Sequence, residues 1–203
     1  MNALIGKMVA MSDGVRLATD VWLPQGAGPF PTILMRTPYH RQNGVAREYV
    51  DQGYAFVVQD CRGKYDSEGV FTPLADEARD GQDTVDWIAN QKWCNGRIGM
   101  VGASYLGFVQ VPAASGGHEA LRCIVPQLCS ATFFRQWARY DGCPSLANAL
   151  IWNLTHAVCR TRPSQLHFDW QELHHLGTLE EIYATAKTDR RLEEAFLRLT
   201  EES

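Results

Sequence analysis

The stretch that most restricts what this chain can fold into is Gly99-Met-Val-Gly-Ala-Ser-Tyr-Leu-Gly107. An apolar run at 98–101 reads as a short strand, and a second at 108–114 reads as a helix. Between them the chain must turn within a few residues, and Ser104 stands at the apex. A serine there is held in a strained backbone conformation above the end of a sheet, and it fits only where near neighbours are small. Gly102 lies two residues before it and Gly107 three after, giving G-x-S-x-x-G in place of the strict G-x-S-x-G. This reads as a nucleophile elbow. It directs the backbone amide of Tyr105, in the first turn of the following helix, to where an oxyanion would form. Strand, glycine-rich turn and helix also make up the dinucleotide fingerprint. That fingerprint needs glycine where Ser104 stands and an acidic residue ending the next strand, where this chain has Gln127, Cys129 and Ser130.

Around the elbow the chain alternates strand and helix. Runs at 7–11 and 15–23 alternate apolar and polar residues about Ser12-Asp13-Gly14, a hairpin signal with the Asp-Gly turn that two-residue loops favour. Residues 32–36, 54–59 and 123–128 read as strands buried on both faces. Residues 45–52 read as a helix ending at Gly53. Residues 76–91 read as another, with Ala78, Thr84, Val85, Trp87 and Ile88 on its apolar side and acidic residues suiting the dipole of its first turn. Right-handed crossovers turn this order into a mostly parallel sheet with helices on both faces, an α/β architecture. Tyr39 and His40 then fall on the loop past a strand's carboxyl end, the edge where such sheets place their sites. Asp60 and Arg62 fall at the same edge, where an ion pair or a loop hydrogen-bond network would shape the rim. After residue 131 the pattern changes: 132–140, 145–160 and 178–200 read as helices with no strand between them.

Composition narrows the function classes. A net charge of −4 over 203 residues leaves no nucleic-acid footprint. The chain has neither a basic-then-apolar N-terminus nor a run of about 18 apolar residues, which predicts a cytoplasmic protein with no membrane partner. The six cysteines (Cys61, Cys94, Cys123, Cys129, Cys143, Cys159) show no C-x-x-C spacing and read as buried thiols, neither a disulfide framework nor a zinc site. No cofactor or metal is expected.

Four motifs carry a resemblance. Arg36-Thr-Pro-Tyr39, Gln59-Asp-Cys-Arg-Gly-Lys-Tyr-Asp-Ser-Glu-Gly69, residues 80–93 with Asp83, Trp87 and Gln91, and the elbow itself fall in the order and spacing of the CocE/NonD hydrolases. That family includes cocaine esterase, α-amino acid ester hydrolase and X-prolyl dipeptidyl peptidase, and the match runs over about residues 5–160. The resemblance implies an α/β-hydrolase core with a helical cap and a C-terminal jelly roll, cleaving acyl bonds of small esters, amides or short peptides through a Ser-Asp-His triad. It implies Ser104 as nucleophile and the Tyr39 hydroxyl, with the Tyr105 amide, as the oxyanion hole. It implies Trp137 and Trp152 as aromatic walls of the acyl pocket.

The chain departs from that pattern in one respect. In α/β-hydrolases the triad runs Ser, Asp, His, with the last two supplied by strands after the cap. No strand-like run follows residue 130. The expected organisation is therefore 1–131 as the first half of a hydrolase core and 132–203 as the beginning of a helical cap. The chain would then be a truncated product, a gene fragment or part of a split enzyme. The edge at 123–128 would be bare, inviting self-association or a complementary C-terminal polypeptide. An alternative is a catalytically incompetent remnant acting as an interaction module. Of the local histidines, His118 precedes its strand and falls at the far edge from Ser104. His40 adjoins Tyr39, while His156, His167, His174 and His175 lie in the helical segment. None has an evident third group to orient it as a base.

Overall fold

Side chains alternate between the two faces of a strand, so a strand covered on both sides must offer apolar groups at every position. Residues Ala55–Asp60 are covered in this way: all six are buried, with apolar side chains from Ala55 to Val58 and hydrogen-bonded polar ones at Gln59 and Asp60. In the computed structural model, which describes residues 2–41, 44–130, 139–140, 143–145 and 152, this strand is β4. The elements in chain order are β1 (Asn2–Ala10), β2 (Arg16–Leu23), β3 (Phe30–Thr37), α1 (Ala46–Val50), β4 (Ala55–Asp60), α2 (Glu77–Ala89), β5 (Cys94–Ala103), α3 (Tyr105–Phe108), α4 (Gln110–Ser115) and β6 (Leu121–Gln127). The six strands form one sheet in the order β1-β2-β4-β3-β5-β6. The first two pair antiparallel, and β4, β3, β5 and β6 pair parallel.

Two hydrophobic clusters divide the two faces. Phe56 and Val58 of β4 pack with Ala46 and Val50 of α1, while Val57 packs with Val85 and Ile88 of α2, Met100 of β5 and Ala113 of α4. On this second face α2 and α4 come close enough that a Cβ on Gly81 would lie 2.5 Å from the Cβ of Ala113. The parallel register pairs Thr37 with Asp60 and Ala103 with Gln127, which carries the ends of all four parallel strands to one edge.

A charged network lies inside this face. Arg36 of β3 is fully buried. Its Nη1 donates to Glu77 Oε2 at 2.7 Å, its Nε donates to Gln59 Oε1 at 2.9 Å, and its Nη2 lies 3.7 Å from Asp80 Oδ2. Burial works against the Arg36 charge, and Glu77 leads the partners that more than restore it. Asp80 also takes a forked bond from Arg62, at 2.6 and 3.0 Å, and Arg62 reaches on to Asp13 in the β1–β2 loop at 3.0 Å. Thr84 donates to Gln59 Oε1 at 2.9 Å, and Gln59 donates to Thr19 on β2 at 3.1 Å. The acidic first turn of α2 is thus turned inward by Glu77 and Asp80, beyond any service to the helix dipole.

The β1–β2 hairpin turns through Ser12-Asp13-Gly14 as expected, closed by Met11 N to Val15 O at 2.8 Å, and Asp83 on α2 accepts from both the amide and the hydroxyl of Ser12. Other expectations need correction. The helix after the elbow starts at Tyr105 and is interrupted at Val109, since Pro112 has no N–H to offer the carbonyl of Phe108. The β6 strand ends the order of the described sheet, as the bare edge expected at 123–128 would, and it is largely exposed instead of buried on both faces, with Val125 at 44% and Leu128, just past it, at 91%. Arg139–Tyr140, read as helix, pairs antiparallel with Cys143–Pro144 as β7 and β8, where Gly142 and Pro144 disfavour helix. The other helices expected beyond residue 145 lie outside the described residues, apart from Trp152. Cys61 and Cys94 are buried as expected, but Cys123 on the edge strand β6 and Cys143 on β8 are exposed, and Cys129 is half-buried. Cys159 lies outside the described residues. No helix among them is long and apolar enough to cross a membrane.

Two substitutions test this packing. Gly81→Ala should lower stability by about 1–3 kcal/mol through overpacking, although alanine is favoured in a free helix by roughly 1 kcal/mol. Arg36→Ala, which leaves Glu77 buried without its cation while Asp80 keeps Arg62, should cost about 3–5 kcal/mol. Urea midpoints check both, and an unchanged midpoint for Arg36→Ala would mean that the network relaxes without it.

Candidate active site

Ser104 occupies φ 58°, ψ −125° and is exposed at the end of β5. Non-glycine residues rarely enter that backbone region, and holding one there costs of order 1–3 kcal/mol. Three backbone bonds hold it: Ser104 N donates to Gln127 O at 2.9 Å, and the amides of Gly107 and Phe108 donate to Ser104 O at 2.9 and 3.0 Å. The two flanking glycines are required by space. A Cβ on Gly102, which sits at φ +145°, would stand 2.4 Å from Leu106 Cβ, and one on Gly107 would stand 2.8 Å from Gln127 O. The G-x-S-x-x-G spacing follows: the helix backs onto β6 at Gly107, not one residue earlier. The Ser104 hydroxyl makes no capping bond to the helix. The amides of Tyr105 and Leu106 precede the first intrahelical bond, so helix geometry gives them no internal acceptor.

The side chain of Tyr105 points inward. Its hydroxyl donates to Glu77 Oε1 at 2.8 Å and accepts from Leu74 N at 3.0 Å. Burial, reinforced by Glu77, pushes the phenol well above its usual pKa, so it stays protonated at neutral pH. Burial does the same to the Cys61 thiol, whose sulfur lies 4.0 Å from Glu77 Oε2. Neither group is therefore poised as a base or nucleophile.

Tyr39, half-buried past the end of β3, packs with Trp152 against a cluster of Cys61, Phe71, Tyr105 and Val109. Trp152 stacks on the Tyr105 ring (5.5 Å between centroids, 13° between planes), and its Nε1 donates to the Tyr39 hydroxyl at 3.2 Å. Three residues expected at the site from three distant parts of the chain thus meet within one aromatic cluster. Trp137 lies outside the described residues. The loop bearing Tyr39 is fastened by its neighbours. Tyr39 N donates to Thr37 Oγ1 at 3.0 Å, and Arg41 N donates to Asp60 Oδ1 at 2.6 Å. The Arg41 guanidinium spans Asp60, Asp66 at 2.7 Å and Asp20 at 3.2 Å. Burial raises the Asp60 pKa while Arg41 pulls against it. The two rim residues singled out in the sequence, Asp60 and Arg62, thus serve separate networks, one holding the Tyr39 loop and the other joining the hairpin to α2.

Two of the six histidines, His40 and His118, lie among the described residues. His118 accepts from Ala120 N through Nδ1 at 3.1 Å, and its Nε2 lies 3.6 Å from Asp86 near the far end of α2, at the opposite edge from Ser104. His40, at φ 83°, packs its ring against Tyr65 at 4.6 Å. His156, His167, His174 and His175 lie outside the described residues. No group of three or more metal-binding side chains occurs among the described residues.

Sequence reading missed the support beneath the elbow: Glu77, Gln59, and Lys64, which is buried with its Nζ 4.6 Å from the Phe71 ring centroid. One signal was available. A strand read as buried on both faces carried Arg36, and a buried arginine requires acids, here Glu77 and Asp80 at i and i+3 on α2.

Comparison with known proteins agrees with this fold. The chain is 43% identical over 155 residues to the cocaine esterase of a Rhodococcus species, covering 72% of this chain and 27% of that protein. Its fold superposes on an aminopeptidase from a marine-sediment Thaumarchaeota archaeon (TM-score 0.76, 25% identity, 93% of this chain and 36% of that one). It also superposes on an α-amino acid ester hydrolase (TM-score 0.71, 28% identity, 98% and 36%). The chain thus spans about a third or less of the length of these relatives. Residues 13–202 match the X-Pro dipeptidyl-peptidase (S15) family, a family of hydrolases, and the chain belongs to it.

Proposed function

We propose that this protein contributes the nucleophile and oxyanion hole of a serine hydrolase that cleaves ester or amide acyl bonds. The observation that carries the reading is the exposed Ser104 held at φ 58° between the end of β5 and a helix start. Backbone strain at such a position is characteristic of a functional turn. In the proposed reaction Ser104 Oγ bonds to the acyl carbon while its proton passes to a base, and the carbonyl oxygen becomes an oxyanion. The Tyr105 amide and the Tyr39 hydroxyl donate to that oxyanion. Collapse expels the alcohol or amine, which takes the proton from the base, and water then releases the acyl group by the same steps in reverse. The family pattern takes the base and its carboxylate from strands after the cap, and no histidine among the described residues is proposed for it. Cofactor and metal have no part in the scheme. Trp137 and Trp152 are proposed to line the acyl pocket, consistent with substrates of small ester, amide or short-peptide type.

A second reading, a non-catalytic binding module, is favoured by the exposed β6 strand, which ends the order of the described sheet. It would use that edge to pair with a complementary polypeptide or a second copy.

A fluorophosphonate probe separates the two. The expected adduct is on Ser104, located by mass spectrometry and abolished in Ser104→Ala; labelling elsewhere, or persisting in that variant, rejects the nucleophile. With p-nitrophenyl esters, Tyr39→Phe should lower kcat by about 10²- to 10³-fold, the worth of one oxyanion donor. An unchanged rate would remove Tyr39 from the hole.

A further inference from the structure

Tyr39 and Trp152 are 113 residues apart in sequence, yet the Trp152 indole N–H is aimed at the Tyr39 oxygen at 3.2 Å. An indole nitrogen can only donate. In this bond the Tyr39 oxygen is therefore the acceptor, and the bond does not use the phenol's own proton. An oxygen that accepts one hydrogen bond is polarised to donate a stronger one. The same indole lies flat on the ring of Tyr105 and at 6.4 Å from Phe71, so its plane is set by two aromatic neighbours. Tyr105 cannot swing away, because its hydroxyl is tied to Glu77 and Leu74 inside the protein. One side chain thus contacts both residues of the proposed oxyanion hole: the ring of the residue whose amide donates, and the oxygen of the residue whose hydroxyl donates.

We propose that Trp152 is a positioning residue for the oxyanion hole, holding the Tyr39 hydroxyl with its proton turned to the developing oxyanion, in addition to any part it takes in lining the acyl pocket. The inference rests on the reading of Tyr39 as an oxyanion donor. It assigns the indole N–H a task that a pocket wall does not need. A wall requires only the ring.

The test has a spectroscopic arm and a kinetic arm. The chain has six tryptophans, hence six indole N–H signals in a ¹⁵N-correlated spectrum, and the Trp152 signal is the one lost in Trp152→Phe. In Tyr39→Phe that signal should move upfield and exchange faster with solvent; an unmoved signal overturns the proposal without reference to activity. In the kinetic arm, hydrolysis of a p-nitrophenyl ester is followed in the wild type, both single variants and the double variant. Trp152→Phe should lower kcat about 3- to 10-fold, the worth of one neutral hydrogen bond. It should have no further effect in the Tyr39→Phe background, where the hydroxyl it positions is absent. An equal loss in both backgrounds, or a raised KM at unchanged kcat, would make Trp152 a pocket wall only and overturn the proposal. Replacing the indole by 3-benzothienylalanine, which keeps the bicyclic ring without the N–H, controls for packing. It should reproduce the Trp152→Phe loss, and full activity with it would overturn the proposal. A Tyr39→Phe variant with undiminished kcat would instead reject the underlying reading of Tyr39, an outcome distinct from failure at Trp152.

Discussion

Arg36 sits fully buried in the middle of the parallel sheet, and much of the arrangement at the site follows from what it needs. A guanidinium removed from water is tolerated only with carboxylates and acceptors around it. Glu77 and Asp80 supply the charge, Gln59 supplies the acceptor for Nε, and each of these is committed to a further element. Glu77 holds Tyr105 directly behind the elbow, Asp80 holds Arg62 and through it the hairpin loop, and Gln59 joins Thr84 of α2 to Thr19 of β2. Such a network is a weak source of net stability, since a hydrophobic replacement could do as well. Its geometric consequence is greater. It fixes the first turn of α2 against β3 and so fixes what α2 touches.

The strain at Ser104 is compatible with this support. An exposed serine in a costly backbone conformation survives only if its surroundings leave no alternative. Here the amide is committed to β6, the carbonyl to the helix, the following tyrosine to Glu77, and the flanking glycines to contacts that no Cβ could make. The Tyr39 loop is fixed independently through Arg41, whose three carboxylate partners come from β2, β4 and the loop beyond it. The two halves of the candidate oxyanion hole are therefore anchored on different networks, and both touch Trp152.

A large part of this was legible in the residues themselves. Hydrophobic runs at 32–36 and 54–59 marked the central strands because burial on both faces leaves no room for polar alternation. Gly102, Ser104 and Gly107 marked the elbow because only that combination fits a strand-to-helix turn so sharp. Tyr39 was placed at the correct edge by nothing more than its position after a strand's carboxyl end. Pairing at Arg139–Tyr140 was not legible, because a two-residue ladder is too short to impose a period on the sequence. The run around Cys123 read in two ways, as a strand buried on both faces and as a bare edge, because an edge strand and a central one share the same apolar composition; the neighbouring strands decide between them.

By itself, then, the sequence determined the alternation of strands and helices, the edge on which Ser104 and Tyr39 lie, and the membership of the family, since each depends on local periodicity or on short motifs. Tertiary structure alone decided that Glu77 faces inward to Arg36 and Tyr105, that Asp60 and Arg62 take different partners, and that Trp152 reaches Tyr39 across 113 residues. The physical reason is the same in each case. A charge or a hydrogen-bond donor declares its chemistry in one residue, but its partner is whichever complementary group the packed chain carries within about 3 Å.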